Sequence, residues 1–450
     1  MPSTTKALIQ KYNVPAPRYT SYPTVPYWGT DAWSREQWID QIKRRYQETP
    51  HAGISLYIHL PFCESLCTYC GCNTRITKNH AVEAPYIDAI LKEWTLYRQI
   101  LDQPIRIADI HLGGGTPTFF SPEHLEHLVW NLLKNACLSA DAAFSFEAHP
   151  ANTTNTHLEV LYKLGFKRLS LGIQDFDPLV QFIINRKQTE ADVLRVMQEA
   201  RHIGYSSVNF DLIYGLPKQS LHSMQDTCKK VVALRPDRIS FYSYAHVPWI
   251  RPGQRHYDEN DLPKDAEKLE LYQRGKEIII RAGYKDVGMD HFALPEDTLF
   301  KALERQTLHR NFMGYTERYA PLLIGLGVSS ISDSWNAFAQ NVKTVEAYHT
   351  LLDQNTLPVV KGHIHSSEDL IYRKHILNIM CKGETSWAHP LPSKTQEQLL
   401  GLHTDDLITL DTWGLRVSPL GKSFLRNICM AFDLYLQMPG TNSDVFSKAI

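Results

Sequence analysis

An α/β fold, a parallel sheet covered by helices and curled into a partial or full barrel, is predicted by three features of the 450-residue sequence. Short runs rich in β-formers recur between residues 54 and 246, amphipathic stretches separate them, and the strand-then-helix order repeats about six times. The runs are "ISLYIHL" (54–60), "IADIHLGG" (107–114), "AFSFEAH" (143–149), "RLSLGIQ" (168–174), "SVNFDLIYG" (207–215) and "RISFYSYAH" (238–246). Between them, "YIDAILKEWTLYRQIL", "PEHLEHLVWNLLKNA" and "ADVLRVMQEARHIG" carry apolar residues three and four apart, as helices do. In such folds the chemistry sits at the carboxyl ends of the strands.

The flanks read differently. Residues 1–50 are a polar, proline-dotted arm with one conspicuous stretch, "PRYTSYPT" (17–24), and residues 301–365 are less regular. From about 367 come a helix ("DLIYRKHILNIMC"), a second helix ("TQEQLLGL"), a hairpin ("LITLDTWGLRVSP") and a last helix ("GKSFLRNICMAFDLYL"). That order resembles a winged-helix module, and its mixed charge favours packing or a lid over DNA binding.

Composition narrows the class. Apolar residues make up 43% and charged residues 21%, an ordinary globular balance, and the net charge of −1 argues against a dedicated nucleic-acid or anionic-membrane binder. The opening "MPSTTKALIQKYN" has no apolar stretch of signal-peptide length, and no run of about 18 apolar residues occurs. Cys137, Cys228, Cys381 and Cys429 are scattered in apolar or helical contexts and read as buried free thiols in a reducing cytosol.

The other four cysteines share ten positions, "CESLCTYCGC" (63–72), three residues beyond the first predicted strand. Ordinary core thiols do not cluster so densely. A structural zinc site draws two cysteine pairs from separated parts of a chain to close a tetrahedron, which four thiols in ten residues make awkward. An iron–sulfur cubane suits them better, since each iron takes one thiolate and the irons lie close together. Cys63, Cys67 and Cys70 can wrap three corners from one loop and leave the fourth iron open to a ligand.

This Cys-x3-Cys-x2-Cys spacing, with Tyr69 before its third cysteine, resembles the radical S-adenosylmethionine (SAM) superfamily. "GGGTPT" (113–118), one βα unit later, lets backbone approach a ligand and matches the superfamily's contact with the methionyl amino group. Glu147, ending the third run in "FEAHP", suits ribose hydroxyls as a bidentate acceptor.

The likeness goes further. "PRYTSYPT", "LYIHLPFC", "CTYCGCN", "GGGTPTF", "LGIQDF", "NFDLIYGLPKQ", "YAH", "GMDHFA", "LHRNF" and "RNICMAFD" together resemble the oxygen-independent coproporphyrinogen III oxidases, from about residue 8 to 435. The resemblance implies a partial (β/α)6 TIM-like radical SAM barrel over 51–300. It adds a substrate-covering N-terminal arm over 1–50, a connecting region completing the active site over 301–365, and a smaller, mostly helical winged-helix-like domain over 366–450. It implies oxidative decarboxylation of two propionates of coproporphyrinogen III to vinyl groups, a [4Fe–4S] cluster and two molecules of S-adenosylmethionine. A flavodoxin- or ferredoxin-type electron donor, an unassigned terminal acceptor, a monomer and a cytoplasmic location go with it; nucleic acid and membrane partners do not.

By the same resemblance Cys63, Cys67 and Cys70 ligate the cluster, and Cys72 lies beside it without ligating. Tyr57, Gly114 and Glu147 hold the cluster-bound S-adenosylmethionine, with Ile331 packing nearby. Tyr69, Gly115, Thr116, Gln174, Arg186, Asp211 and Ala245 match a second S-adenosylmethionine site. Asp211 also stands out unaided, as a carboxylate in an apolar strand that needs a partner or a strand end. A substrate with four carboxylates calls for cations and phenols. Arg18, Tyr19 and Tyr22 are candidates, with His309 and Arg310 behind them; aromatic packing of the arm is the competing reading of the two tyrosines. The sequence departs from the family at Met313, where Gln is usual, at "YAPL" (319–322), which replaces an acidic stretch, and at Ala151, where Arg is common. A haem-binding chaperone, a radical enzyme acting on another tetrapyrrole and a zinc-stapled transcription factor are the alternatives.

Overall fold

The chain is represented by a computed structural model that describes residues 3–29, 33–438 and 446–449. Its centre is β1 (Ile54–Leu60), buried along its whole length as expected of a strand covered on both faces. β2 (Ile105–Gly114), β3 (Ala136–Ala148), β4 (Phe166–Gln174), β5 (Ser207–Tyr214) and β6 (Arg238–Ser243) follow, each parallel to its predecessor. Every one falls on a predicted run. β3 starts earlier than its run, and its first half is largely solvent-facing. Cys137 lies there and is exposed, so its reading as a buried thiol is corrected; Cys228, Cys381 and Cys429 are buried.

Two helices, α1 (Ser3–Tyr12) and α2 (Arg35–Glu48), precede the barrel. The segments between strands hold α3 (Glu83–Leu101), α4 (Pro122–Leu133), α5 (Asn155–Lys163), α6 (Pro178–Ile183), α7 (Glu190–Ile203) and α8 (Leu221–Leu234). Ser121, Thr154, Thr189 and Ser220 cap α4, α5, α7 and α8, each side chain accepting a backbone N–H three residues on. Strand residues such as Ile58, Leu112, Phe146 and Phe210 form one core with Ile90, Leu128, Val196 and Val231 of the helices.

The sheet runs past the six strands on both sides. β7 (Lys285–Gly288) and β8 (His291–Ala293) add an antiparallel edge beside β6. β9 (Leu322–Leu326) pairs parallel with β1, and β10 (Ile331–Asp333), β11 (Ala337–Asn341) and β12 (Val359–Ile364) continue antiparallel from it. The order is β12-β11-β10-β9-β1-β2-β3-β4-β5-β6-β8-β7. The region that reads as less regular in sequence therefore supplies four strands of the main sheet. α2 is likewise more than arm: Trp38, Ile42 and Tyr46 sit four apart and are buried in the barrel core.

The C-terminal part has the predicted order of helix, helix, hairpin and helix. α9 (Asp265–Arg281), α10 (Thr298–Glu304) and α11 (Val345–Asp353) intervene before it. Then come α12 (Ser367–Lys382), β13 (Glu384–Ser386), α13 (Ser393–Thr404), the hairpin β14 (Ile408–Leu410) and β15 (Gly414–Val417), and α14 (Leu425–Met430). Its separate core takes in Leu8, Ile9, Tyr19 and Tyr22 from the N-terminal arm. Arg426 fastens the two together: Nε donates to the Pro17 carbonyl at 3.1 Å and Nη1 to the Lys448 carbonyl at 2.8 Å. No helix among the described residues is long and apolar enough to cross a membrane.

Candidate active site

The strands β1 to β6 surround a cavity of about 1200 Å³ that reaches from the cysteine loop to the amino ends of the strands. The loop leaves β1 at Leu60 and is pinned where Phe62–Cys63 pairs with Arg75–Ile76. Cys63, Cys67, Cys70 and Cys72 all line the cavity. Cys63 Sγ lies 3.3 Å from the Thr116 hydroxyl, Arg186 Nη1 donates to Cys67 Sγ at 3.6 Å, and the Cys72 backbone N–H donates to Cys70 Sγ at 3.4 Å. The contact with Cys72 draws the Cys70 thiol down to about 7 against the effect of burial, whereas burial pushes Cys63 up to about 11. Among the described residues, no three His, Cys, Asp or Glu side chains close on a single ion. Three thiols set apart on one loop suit a cubane, one per iron, better than a tetrahedral zinc.

The glycines behind the loop serve packing as well as access. A Cβ at Gly115 would meet the Pro61 carbonyl oxygen at 2.6 Å, and one at Gly114, where φ is +112°, would meet the His59 ring at 2.7 Å. That closeness lets the Gly115 N–H donate to the Leu60 carbonyl at 2.8 Å and the Thr116 N–H to the Phe62 carbonyl at 3.0 Å. The turn thereby clamps the base of the cysteine loop while Gly114, Gly115 and Thr116 still border the cavity.

Glu147 stands at the end of β3 and accepts the Gly114 N–H at 3.2 Å, with His111 Nε2 at 3.5 Å. Burial opposes its charge, yet His111 and the Gly114 N–H together hold the carboxyl below its usual range. It is a fixed, ionised acceptor. Tyr57, nearly buried, bonds His59 Nδ1 at 3.1 Å, and its ring stacks with His111 and meets Phe312 edge-on.

Across the cavity, Arg186 is buried, with Nε on Gln188 at 3.1 Å and Nη2 on the Gly172 carbonyl, so it is not a solvated surface cation. Asp211 accepts from Ser170 at 2.7 Å and Asn209 at 2.9 Å, and burial still raises it to about 6. Tyr69, Gln174, Arg186, Asp211 and Ala245 share these walls. Gln254, which carries no local sequence signal, joins two of them: Nε2 donates to the Tyr69 carbonyl at 3.2 Å and the Ala245 carbonyl at 3.1 Å. His111 is a second residue that sequence reasoning missed, though its place two residues before the glycine run on an inward-facing strand was a usable signal.

The expected substrate contacts divide. Tyr19 and Tyr22 are each 2% exposed and lie in the C-terminal core; the Tyr19 hydroxyl donates to Asp433 at 3.0 Å, and the Leu434 N–H donates to the Tyr22 hydroxyl at 3.2 Å. Neither borders the cavity; in this arrangement both hydroxyls anchor the arm to the C-terminal part, as the aromatic-packing reading expects. Arg18 pairs with Asp290 and lies over the ring of Tyr242, a cavity residue, without lining the cavity itself. His309 does line it, and burial lowers it to about 4. Arg310 is buried over the Tyr315 ring on the opposite side of its strand. Ile331 lies two residues from the cavity residue Asp333 on β10 and is not part of the wall. Met313, Ala320 and Ala151, all at departures from the family pattern, are wall residues.

The far end of the cavity is a closed lattice. Glu317 accepts from Arg168 and Arg238 at 2.5 Å each and from Thr298 at 2.6 Å. Burial alone would raise it, but the two guanidinium groups bring it down to about 2. Arg238 also pairs with Asp297 at 2.7 Å, and Arg318 with Asp141 and Asp109.

Comparison with known proteins agrees with this geometry. The Radical SAM superfamily profile matches residues 57–231. The chain is 39% identical over 455 residues to the oxygen-independent coproporphyrinogen III oxidase of Escherichia coli strain K12, covering 99% of this chain and 98% of that protein. Its namesake from Pseudomonas aeruginosa is 39% identical, with 98% of each chain covered. A solved structure of the Escherichia coli coproporphyrinogen III oxidase, described as a radical SAM enzyme, superposes with a TM-score of 0.89 at 36% identity, covering 96% of this chain and 98% of that one.

Proposed function

This chain belongs to the oxygen-independent coproporphyrinogen III oxidases of the radical SAM superfamily, and on that premise we propose how its residues divide the work. The reaction is oxidative decarboxylation of propionate side chains of coproporphyrinogen III to vinyl groups, giving protoporphyrinogen IX, with a [4Fe–4S] cluster and S-adenosylmethionine, two molecules in this family. Bound here, the cluster and S-adenosylmethionine would supply the radical chemistry that a propionate β-carbon requires, since its C–H is too weakly acidic for any side-chain base.

Cys63, Cys67 and Cys70 hold the cluster, and the guanidinium of Arg186 beside Cys67 offsets thiolate charge. Glu147, already ionised and fixed by Gly114 and His111, accepts ribose hydroxyls, while Gly114 borders the methionyl end and Tyr57, outside the cavity wall, supports it by stacking on His111. Asp211, Gln174, Tyr69 and Ala245 on the facing wall take the second S-adenosylmethionine, with Gln254 setting the distance between the last two. His309 presents a neutral ring at neutral pH, which can donate a hydrogen bond to a substrate carboxylate. The Arg168–Glu317–Arg238 lattice braces the far end of the cavity.

A flavodoxin- or ferredoxin-type carrier supplies the electron, and an acceptor of unassigned identity takes the one released with CO2. A cytoplasmic monomer without a nucleic-acid partner completes this reading; the near-zero net charge gives a polyanion no general attraction.

The observation that carries the assignment of residues is that three thiols of one loop and a fixed carboxylate, Glu147, face one cavity. Its test is anaerobic turnover of reconstituted, dithionite-reduced protein with S-adenosylmethionine and coproporphyrinogen III. Protoporphyrinogen and 5′-deoxyadenosine are expected from the wild type and neither from Cys67→Ala. Deoxyadenosine with no vinyl product would move the substrate to another tetrapyrrole and implicate Met313 and Ala151.

A further inference from the structure

Residues two apart along β3 and just past its end, Ala143, Ser145, Glu147 and then His149, line the cavity. The pairing of β3 with β4 ends at Ala148 beside Leu171, so His149 comes level with Gly172, whose carbonyl accepts Arg186 Nη2. His149 thus stands between Glu147 and the wall that carries Gln174 and Arg186. Burial, and after it the charge of Arg186, bring the imidazole down to about 3, so the ring is neutral.

The chain behind the ring sets its orientation. The turn Pro150–Asn152 begins at His149, and the Ala151 N–H donates to His149 Nδ1 at 3.2 Å. A neutral ring that accepts at Nδ1 carries its proton at Nε2. The turn itself is braced: Arg195 Nη2 donates to the Pro150 carbonyl at 3.2 Å and the Thr153 carbonyl at 3.0 Å. The Thr153 hydroxyl donates to the His149 carbonyl at 2.8 Å. Ala151, where Arg is common in the family, brings no side-chain donor, and His149 Nε2 has no partner among the described residues.

Arg186 has donors left as well. Nε is on Gln188, Nη1 on Cys67 Sγ and Nη2 on the Gly172 carbonyl, which leaves the second N–H of each terminal nitrogen unspent. A buried guanidinium without a carboxylate, beside a ring N–H fixed in direction, is the donor half of a carboxylate site.

We infer that His149 is a ligand-binding residue of this chain, its Nε2–H donating to a carboxylate held against Arg186. The carboxylate comes from the methionyl end of S-adenosylmethionine or from a propionate of the tetrapyrrole, and the inference rests on the reading of the cavity as the site of both. Arg186 supplies the charge and His149 the direction. A neutral donor suits the position, because a second cation so near Glu147 would pair with that carboxylate and take it from the ribose hydroxyls.

Two substitutions separate the two nitrogens of the ring. His149→Asn keeps an acceptor for the Ala151 N–H and removes the Nε2 donor, whereas His149→Gln places an amide N–H near Nε2. The measurements, on anaerobically reconstituted protein, are the Kd of S-adenosylmethionine, the Kd of 5′-methylthioadenosine, which lacks the methionyl carboxylate, and the KM for coproporphyrinogen III. For a methionyl carboxylate, His149→Asn raises the Kd of S-adenosylmethionine roughly tenfold, the loss of one hydrogen bond to a charged group. The Kd of 5′-methylthioadenosine and the unfolding midpoint stay at wild-type values, and His149→Gln regains most of the loss. For a propionate, the same pattern appears in KM with both Kd values unchanged. Either result supports the donor and names its source. Equal weakening of 5′-methylthioadenosine overturns the inference by giving the ring to adenosine. So does His149→Gln that binds no better than His149→Asn, or a His149→Asn protein with Kd and KM unchanged. That last result beside wild-type turnover leaves the enzyme reading intact without this site; the Kd pattern in a protein that makes no vinyl product does the reverse.

Discussion

The two ends of the barrel cavity are built on opposite principles. At the cysteine end, charged and nucleophilic groups border the space with no guanidinium on the carboxylates: thiols on a loop, Glu147 held by the Gly114 N–H and His111, and Asp211, on neutral donors, raised to about 6 by burial. At the far end the charges satisfy one another, with Glu317 between Arg168 and Arg238 and Arg238 on Asp297. The first arrangement spends folding stability to keep ligand groups available; the second, with its charges paired, contributes stability. Burial alone does not mark a functional charge: the Glu147 side chain, open to the cavity, is more exposed than that of Glu317. What differs is the kind of partner: neutral donors around Asp211, and a backbone N–H with His111 at Glu147, against two guanidinium groups on Glu317.

Substitutions at the two ends should therefore separate activity from stability. Glu147→Gln is expected to lower kcat/KM on the order of 100-fold or more while iron and sulfide content stay at wild-type levels; loss of the cluster as well would make Glu147 a structural post. Glu317→Ala, which strands two guanidinium groups, should destabilise by about 3 kcal/mol, read from chemical denaturation. Because the folded-state carboxyl of Glu317 lies near 2, below its unfolded value of about 4.3, its stabilisation is complete above that unfolded value. It is lost as pH falls from about 5 towards 2. A wild-type stability curve steeper over that acid window than that of Glu317→Gln is the expected signature.

Asp211 has the opposite sign. Its folded-state value near 6 exceeds the unfolded value of about 3.9, so the folded protein holds the extra proton and stability declines as pH rises through that interval. Asp211→Asn should raise apo-protein stability at pH 7.5 by about 1 kcal/mol, after allowance for solvent screening, while S-adenosylmethionine binding weakens. A variant that is both less stable and fully active would contradict the contrast. The smallest effect belongs to the arm: Tyr19→Phe removes the bond to Asp433 and should cost about 1 kcal/mol with kcat/KM unchanged. A marked rise in KM for coproporphyrinogen III would return Tyr19 to the substrate.

Local signals made the cysteine end readable in sequence. Cys63, Cys67 and Cys70 are close in the chain because one loop must reach three corners of one cluster, and the six strands show as β-rich runs with helical periodicity between them. The rest depends on contacts far apart in sequence. β9 to β12 are three to six residues long, too short for a period to emerge. Gln254 gains its place from two carbonyls, one nearly the width of the barrel domain away in sequence. "RYTSYPT" reads as a polar arm because nothing in it shows that Asp433 and the Leu434 N–H wait for its two tyrosine hydroxyls. Cys137 falls in a stretch whose strand outruns its own core contacts.

The most direct measurement is iron and sulfide analysis with electron paramagnetic resonance of the dithionite-reduced protein, comparing wild type, Cys67→Ala and Glu317→Gln. A cubane signal perturbed by S-adenosylmethionine is expected in the wild type and in Glu317→Gln, the latter with a lower unfolding midpoint, and none in Cys67→Ala. An intact cluster in Cys67→Ala, or its loss in Glu317→Gln at a temperature where the protein remains folded, would contradict the division of the cavity into a ligand-binding end and a closed one.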